Sequence, residues 1–331
     1  MSSISIGDLS NAFLQQKRSV ALREDLFRLS EELSSGRVAD VRDILAGNHS
    51  YLTGLERSLE VLGGYSVANS EAEYLTAAMQ LSLEQIQNIS GDLAVDLLLA
   101  GGGPIAAVAG NPSDNARVQL IGIVNSINDD IAGRSLFAGT ATDRPPLPDA
   151  DVLIDTLRTV VTGLTSPTDI IAAAEAWFAS PAGYDAVIYS GSNTALAPFN
   201  LSQTEQVSLD VKANDDAIKG SLMYTALAGL VDDPALALNV PQQSDMLRLL
   251  GENLQSNQDR ITRLRAKIGF VEERVELISA RNEAEETSLE FARNSLLAAD
   301  PFETATELEN VQFYLQSLYT VTARNSQLNL V

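Results

Sequence analysis

The sequence predicts a mainly α protein whose N- and C-terminal halves pair as a long antiparallel helical rod, or coiled coil, with a small inserted α+β domain. Two observations predict this class: a heptad repeat near the C-terminus and an amphipathic segment at each end of the chain. The composition agrees, because 45% of the residues are hydrophobic but only 5% are aromatic. Such a mixture favours the Leu, Ala, Ile and Val packing of helix bundles.

The heptad repeat begins at Leu247 and continues through eight heptads without a break in register. Thirteen of its sixteen a and d positions are apolar, which is typical of a coiled-coil seam. At about 1.5 Å per residue, this helix would be roughly 80 Å long. The residues predicted to form the rod core are Leu254, Ile261, Leu264, Ile268, Val271, Val275 and Ile278.

Three polar residues interrupt the apolar seam: Asn257, Asn282 and Glu285. Polar side chains at core positions of a coiled coil can fix the register and the choice of partner. The alternative interpretation is that these side chains face a local gap filled with solvent. Both interpretations stay open at the level of the sequence.

An amphipathic helix is predicted at each end of the chain, with apolar residues at intervals of three and four. A pair of such end helices buries little apolar surface, whereas ordering about thirty residues costs roughly 1–2 kcal/mol apiece in backbone entropy. Copies of the same chain could supply the missing burial, so the stripes are predicted to be an assembly interface. Its residues are Leu22, Leu26, Leu29 and Leu33 at the N-terminal end, and Leu308, Val311, Leu315 and Leu318 at the C-terminal end. A neighbouring line on the N-terminal helix contains Phe13, Val20 and Phe27.

Both end helices are predicted to stop abruptly on their inner side. In the stretch "EELSSGRVAD", Gly36 supplies the residue that commonly follows a helix C-terminus. In "LLAADPFE", Pro301 disfavours the helical conformation of the residue before it. A joint between helical segments is therefore predicted at Ser34, Ser35, Gly36 and Pro301.

These stops suggest three parts, two of them built from both halves of the chain. Residues 1–36 with 300–331 are predicted to form a terminal coiled-coil domain for assembly, and residues 37–145 with 215–299 a helical rod domain. Residues 146–214 are predicted to form an inserted outer domain, in which "YDAVIYSG", "LAPFNL" and "EQVSLDVKA" favour short strands. In the rod domain, helices are expected over about 51–89 and 113–130, with a Gly/Pro-rich loop between them, and again from about 215.

No arrangement of residues predicts an enzyme, a cofactor or a metal. The chain has no Cys, which excludes a thiol nucleophile, a disulfide scaffold and a Cys-type zinc site. His49 is the only histidine, so the paired Glu-x-x-His motifs of a carboxylate metalloenzyme are impossible. A net charge of −22 argues against nucleic acid and anionic membranes as partners. Neither a membrane span nor a cleaved signal peptide is expected.

Three stretches resemble the family of flagellins and flagellar hook-associated protein 3, the hook–filament junction protein. They are "EELSSGRVAD", "NSINDDIAGRSLFAGTATDRPPL" and "FARNSLLAADPFETATELENVQFYLQSLYTVTARNSQLNLV", and the resemblance covers about residues 1–147 and 215–331. The chain departs from the family after the first stretch. There "SGRVADVRDIL" replaces the usual "SGKRINSPSDDP", so the turn lacks its run of acids and its Pro.

This resemblance implies a structural axial component of the bacterial flagellum, most similar to the junction protein that links the hook side to the filament. Flagellin, the filament subunit, is the alternative. The resemblance also implies an extracellular location, reached unfolded through the flagellar type III export channel without a cleaved signal peptide. The implied partners are further copies of the chain, the hook-side junction protein, flagellin, and an export chaperone on the C-terminal helix.

Overall fold

Helices dominate the computed structural model, which describes residues 6–39, 49–102 and 111–328. Within those ranges, nine α-helices are accompanied by two short antiparallel hairpins and one 3-10 turn (Pro234–Leu236), which confirms the mainly α class. The helix expected over about 51–89 extends to Gly101, so only the later part of the predicted Gly/Pro-rich loop remains, and its residues 103–110 lie outside the described residues, as do residues 40–48. The helices are α1 (Ile6–Ser35), α2 (His49–Gly101), α3 (Pro112–Ile127), α4 (Ala150–Val161), α5 (Pro167–Ala179), α6 (Tyr184–Val187), α7 (Asp216–Ala228), α8 (Val240–Leu297) and α9 (Pro301–Leu328). The strands are β1 (Asp130–Ile131), β2 (Arg134–Ser135), β3 (Phe199–Asn200) and β4 (Gln206–Val207).

The chain folds into two compact units, each built from both halves of the sequence. The terminal unit comprises Met1–Gly63 with Glu283–Val331, and the middle unit comprises Gly64–Asn282. The predicted division into three parts stays a prediction.

In the middle unit, α2 and α8 run antiparallel and are joined by side-chain hydrogen bonds. Gln80 Nε2 donates to the Arg265 carbonyl oxygen at 2.9 Å, and Gln87 Nε2 donates to Thr262 Oγ1 at 3.0 Å. Gln258 Nε2 in turn donates to the Gln87 carbonyl oxygen at 3.2 Å. The partner's number on α8 falls as the number on α2 rises, as it must for antiparallel helices.

The heptad seam of α8 faces the interior of the middle unit. Six of the seven residues predicted as the rod core are buried, and the seventh, Val271, is half-buried. Leu254, Ile261, Leu264 and Ile268 belong to a large apolar core that also takes residues from α2, α3, α4, α5 and α7. The buried six are Leu254, Ile261, Leu264, Ile268, Val275 and Ile278.

Two glycines allow α2 and α8 to approach closely. A Cβ on Gly251 would lie 2.8 Å from Leu98 Cγ and 2.9 Å from the Ala94 carbonyl oxygen. A Cβ on Gly101 would lie 2.6 Å from the backbone nitrogen of Arg248. Contacts this short are not tolerated between real atoms, so a side chain at either position would force the helices apart.

We therefore expect Gly251→Ala to lower the free energy of unfolding by about 1–3 kcal/mol, because overpacking outweighs the better helix propensity of alanine. Gly269→Ala on the same helix is the matched control. Its Cβ would meet only the ends of the Gln80 and Glu272 side chains, at 3.6 and 3.9 Å, so this variant should gain up to about 1 kcal/mol. Urea unfolding followed by the fluorescence of Trp177, the single tryptophan, measures both. Equal effects of the two substitutions would contradict the close approach.

In the inserted part, one predicted strand is wrong. The stretch "YDAVIYSG" was predicted to be a strand, but it begins with the helical turn α6. Tyr184 is fully buried there, stacks on Phe178 at 4.9 Å between ring centroids, and donates its hydroxyl to the Ala213 carbonyl oxygen at 3.0 Å. Burial raises the pKa of Tyr184 well above its ordinary value. These tertiary contacts override the β propensity of a run rich in Tyr, Val and Ile.

Candidate assembly surface

The two predicted helix stops lie side by side in the terminal unit. Gly36 has φ +67°, a left-handed conformation common after helix ends, and its N–H donates to the Glu32 carbonyl oxygen at 2.8 Å. Beyond it, the Val38 N–H donates to the Leu297 carbonyl oxygen, and the Ala299 N–H donates to the Gly36 carbonyl oxygen, both at 3.0 Å. These bonds connect the end of α1 to the end of α8, so the two stops form one joint.

Asp300 and Pro301 shape the start of α9. The Asp300 Oδ1 accepts a hydrogen bond from the Phe302 N–H at 2.9 Å, which satisfies one of the free donors at a helix N-terminus. Pro301 occupies the first helical position, where its missing N–H costs nothing. On the other side of the joint, Ser34 and Ser35 lie exposed at the end of α1. All four predicted joint residues therefore lie at helix ends.

The leucine stripes predicted as an assembly interface already lie between α1 and α9 of one chain. The two helices pack antiparallel. Leu29 (2% exposed) and Leu315 are buried, whereas Leu33 is 41% exposed. The remaining stripe residues are only half-buried, so one chain covers its own seam incompletely. They are Leu22, Leu26, Leu308, Val311 and Leu318.

Polar contacts flank this helix pair. The Arg23 Nη2 donates to Tyr319 Oη at 2.8 Å, and this guanidinium lowers the pKa of the Tyr319 hydroxyl. Glu32 is buried and accepts a hydrogen bond from Arg28 Nη1 at 3.1 Å. Burial tends to lower the pKa of Arg28, but Glu32 and Asp25 outweigh that effect and raise it. The buried carboxylate is thus paired with a charged partner.

A second set of apolar residues on α1 and α9 is exposed to solvent, and we call it the outer apolar lines. On α1, Phe13, Val20 and Phe27 recur every seven residues, and the two phenylalanines are 68% and 78% exposed. On α9, Phe302 (83% exposed) and Phe313 are eleven residues, or about three turns, apart. The α1 line is visible in the sequence as a seven-residue interval, whereas the only sequence signal for the α9 line is the eleven-residue interval.

The outer apolar lines point away from the leucine seam. At about 100° per residue, Phe27 lies roughly 140° around α1 from Leu22, and Phe313 lies roughly 160° around α9 from Leu315. Each helix of the pair therefore has one apolar face turned towards the other helix and a second apolar face turned towards water. Large exposed aromatic residues in regular array are typical of an interaction surface.

The middle unit carries apolar lines of the same kind. On α8, Phe270 and Leu277 are exposed at an interval of seven residues. They occupy heptad position c and therefore lie outside the seam of a and d positions. On α2, the exposed residues of one line, spaced by seven or fourteen, are Val67, Tyr74, Leu81 and Val95.

The two asparagines of the heptad seam bind other segments of the same chain, α7 and the inserted part. Asn257 is buried, and its Nδ2 donates to the Ala217 carbonyl oxygen at 2.8 Å. Asn282 is also buried, and its Nδ2 donates to the Leu201 carbonyl oxygen at 2.7 Å. Glu285 is exposed. The two asparagines thus position intrachain segments, a role that neither interpretation of the sequence anticipated, while Glu285 faces solvent.

Neither a metal-binding group nor a membrane-spanning helix occurs in the described ranges. Across residues 6–39, 49–102 and 111–328, no three His, Asp or Glu side chains are grouped so that they could hold a metal ion. No helix within the same part of the chain has the length and apolar character needed to cross a bilayer.

Among solved structures, the fold is similar to one described as "Structure of putative flagellar hook-associated protein from Vibrio parahaemolyticus". The superposition has a TM-score of 0.51 at 12% sequence identity, and it covers 76% of this chain and 99% of that chain. At this identity the likeness establishes a shared fold. No family model and no curated protein matches the sequence.

Proposed function

We propose that this protein is a structural axial component of the bacterial flagellum that assembles with further copies of itself through its terminal helices. The observation that carries the proposal is the pair of outer apolar lines, which a single chain leaves in water. The likeness of its fold to the Vibrio structure supports the same class of protein.

The physical basis is a helix pair with apolar faces on both sides. The leucine seam joins α1 to α9 within one copy, and the outer apolar lines then contact the corresponding helices of neighbouring copies. The exposed lines on α2 and α8 offer further contacts between copies at the level of the middle unit. Each copy carries a formal charge of −22. Copies therefore repel one another at low ionic strength, and assembly should strengthen as salt screens that repulsion.

Within this class, the sequence resemblance of "LFAGTATDRPPL" favours the hook–filament junction protein over the filament subunit. In that role, copies of the chain sit between the hook-side junction protein and the first flagellin ring. Export occurs unfolded through the type III channel to the outside of the cell, with a chaperone covering the C-terminal helix. The role is mechanical and needs neither catalysis nor a cofactor.

Deletion of the chain tests this role directly. Cells without it should keep their hooks but release monomeric flagellin into the medium, because filament subunits have no junction on which to assemble. Electron microscopy of the hooks and immunoblots of the medium measure the two effects. Motile deletants with normal filaments would overturn the axial role. Hooks without flagellin in the medium, together with long filaments grown from the purified chain on seeds, would instead identify the chain as flagellin.

A further inference from the structure

The hairpin of β3 and β4, residues 199–207, packs on the seam of α2 and α8 through an apolar cluster of its own. Leu201 is its fully buried side chain. This cluster is separate from the large core of the middle unit, and the half-buried Phe199 and Val271 are the side chains packed against both. The buried members of the small cluster are Ala72, Leu201, Val275 and Ile278. We call residues 199–207 the strap.

Few polar contacts tie the strap to α8. Asn282 Nδ2 donates to the Leu201 carbonyl oxygen at 2.7 Å, in a buried position. Arg274 Nη2 lies 2.5 Å from Glu205 Oε2, but both side chains are about a third exposed, so this ion pair contributes little. Inside the strap, the Leu201 N–H donates to the Glu205 carbonyl oxygen at 2.9 Å. The strap is therefore held by the buried Leu201 side chain, the half-buried Phe199 and Val207, and one hydrogen bond from Asn282.

An uncompensated polar group lies in the same part of the seam. Asn69 is 1% exposed, and neither its Nδ2 nor its Oδ1 has a hydrogen-bond partner. It precedes Ala72 by about one helical turn, and the pairing of Gln80 with Arg265 places it near the level of Val275 on α8. A buried amide without a partner has lost its hydrogen bonds to water and has formed none within the protein, which destabilises the state that buries it.

We infer that the strap is a conformational device that opens and closes over this seam independently of the main core. Closure buries Leu201 and forms the Asn282 hydrogen bond, whereas opening returns water to Asn69. These opposed contributions bring the two states close in free energy, so the open state is populated without unfolding of the unit. In the open state, the apolar residues Val275 and Ile278 of α8 become accessible.

Native-state hydrogen exchange of the full chain tests the inference, residue by residue. The Leu201 and Ser202 amides should exchange by an opening that is insensitive to added denaturant, whereas amides of α7 should exchange only through global unfolding. Asn282→Ala should speed exchange of the strap amides by roughly tenfold, because it removes their buried tie. Asn257→Ala is the matched control. It removes the equivalent tie to α7 and should leave the strap rate unchanged.

The variant Asn69→Leu gives a result of opposite sign. With the unpaired amide replaced by an apolar side chain, the closed state is favoured, and strap exchange should slow about threefold or more. This readout remains available if Asn282→Ala fails to fold. Strap amides that share the rate and denaturant dependence of α7 would overturn the inference. Faster strap exchange in Asn69→Leu would overturn it as well.

Discussion

We expect that replacing both Phe13 and Phe27 with serine weakens the proposed self-association of the chain at least about 100-fold while leaving the stability of the single molecule unchanged. Both rings are exposed in one chain, so their removal costs the monomer little. In the proposed assembly each ring would be buried against a neighbouring copy, and burial of a phenylalanine contributes about 1.5–3 kcal/mol. Losing two such contacts should raise the concentration needed for association by roughly 100-fold or more. Sedimentation velocity over a concentration series, at moderate ionic strength, measures the change.

Matched controls separate this surface from a general loss of apolar character. Val152 and Val187 are exposed apolar residues of the inserted part, and Val152→Ser with Val187→Ser should leave association unchanged. Thermal unfolding followed by circular dichroism should give the same melting temperature for the double phenylalanine variant and the unmodified chain. If the double phenylalanine variant associates at the same concentration as the unmodified chain, the α1 line is not the contact surface.

Most of the fold could be predicted from the sequence because buried positions recur every three to four residues along a helix. The heptad pattern from Leu247 onward predicted a single long helix, and α8 runs without interruption over Val240–Leu297. The stop signals at Gly36 and Pro301 were equally local, since each depends on the backbone conformation of one residue. The contact between the two stops could not be predicted from local sequence, because its hydrogen bonds connect residues distant in sequence.

Short segments were harder to predict, because tertiary contacts decide their conformation. The Tyr184 stretch has strand-forming residues but folds as a turn around a buried ring. Asn257 was recognised as an exception to the heptad pattern, yet its partner is the Ala217 carbonyl oxygen on α7, which no periodicity reveals. Only part of the proposed assembly surface could be predicted from the sequence. The seven-residue interval of Phe13 and Phe27 was visible, but their outward direction follows only from the packing of α1 on α9.

In the stretch "LFAGTATDRPPL", the backbone conformation and the close packing of Gly139 leave no room for a side chain. Gly139 has φ +60°, and a Cβ there would lie 2.4 Å from the Ser192 carbonyl oxygen and 2.6 Å from that of Thr194. The same two loops are hydrogen-bonded, with the Thr140 N–H donating to the Thr194 carbonyl oxygen at 3.0 Å and the Ser192 N–H to that of Ala138 at 2.8 Å. A methyl group fits only if the loops separate.

Gly139→Ala should therefore lower the free energy of unfolding of the middle unit by about 3–8 kcal/mol. The left-handed backbone contributes roughly 1–2 kcal/mol, overpacking about 1–3, and the strained loop hydrogen bonds about 0.5–1.5 each. Gly133→Ala isolates the backbone contribution, because Gly133 has φ +77° with nothing within 4 Å of its Cβ, and should cost only about 1–2 kcal/mol. Urea unfolding monitored by Trp177, which lies in this unit, compares the two variants. Equal costs would mean that the loops do not approach Gly139 as closely as the structure places them.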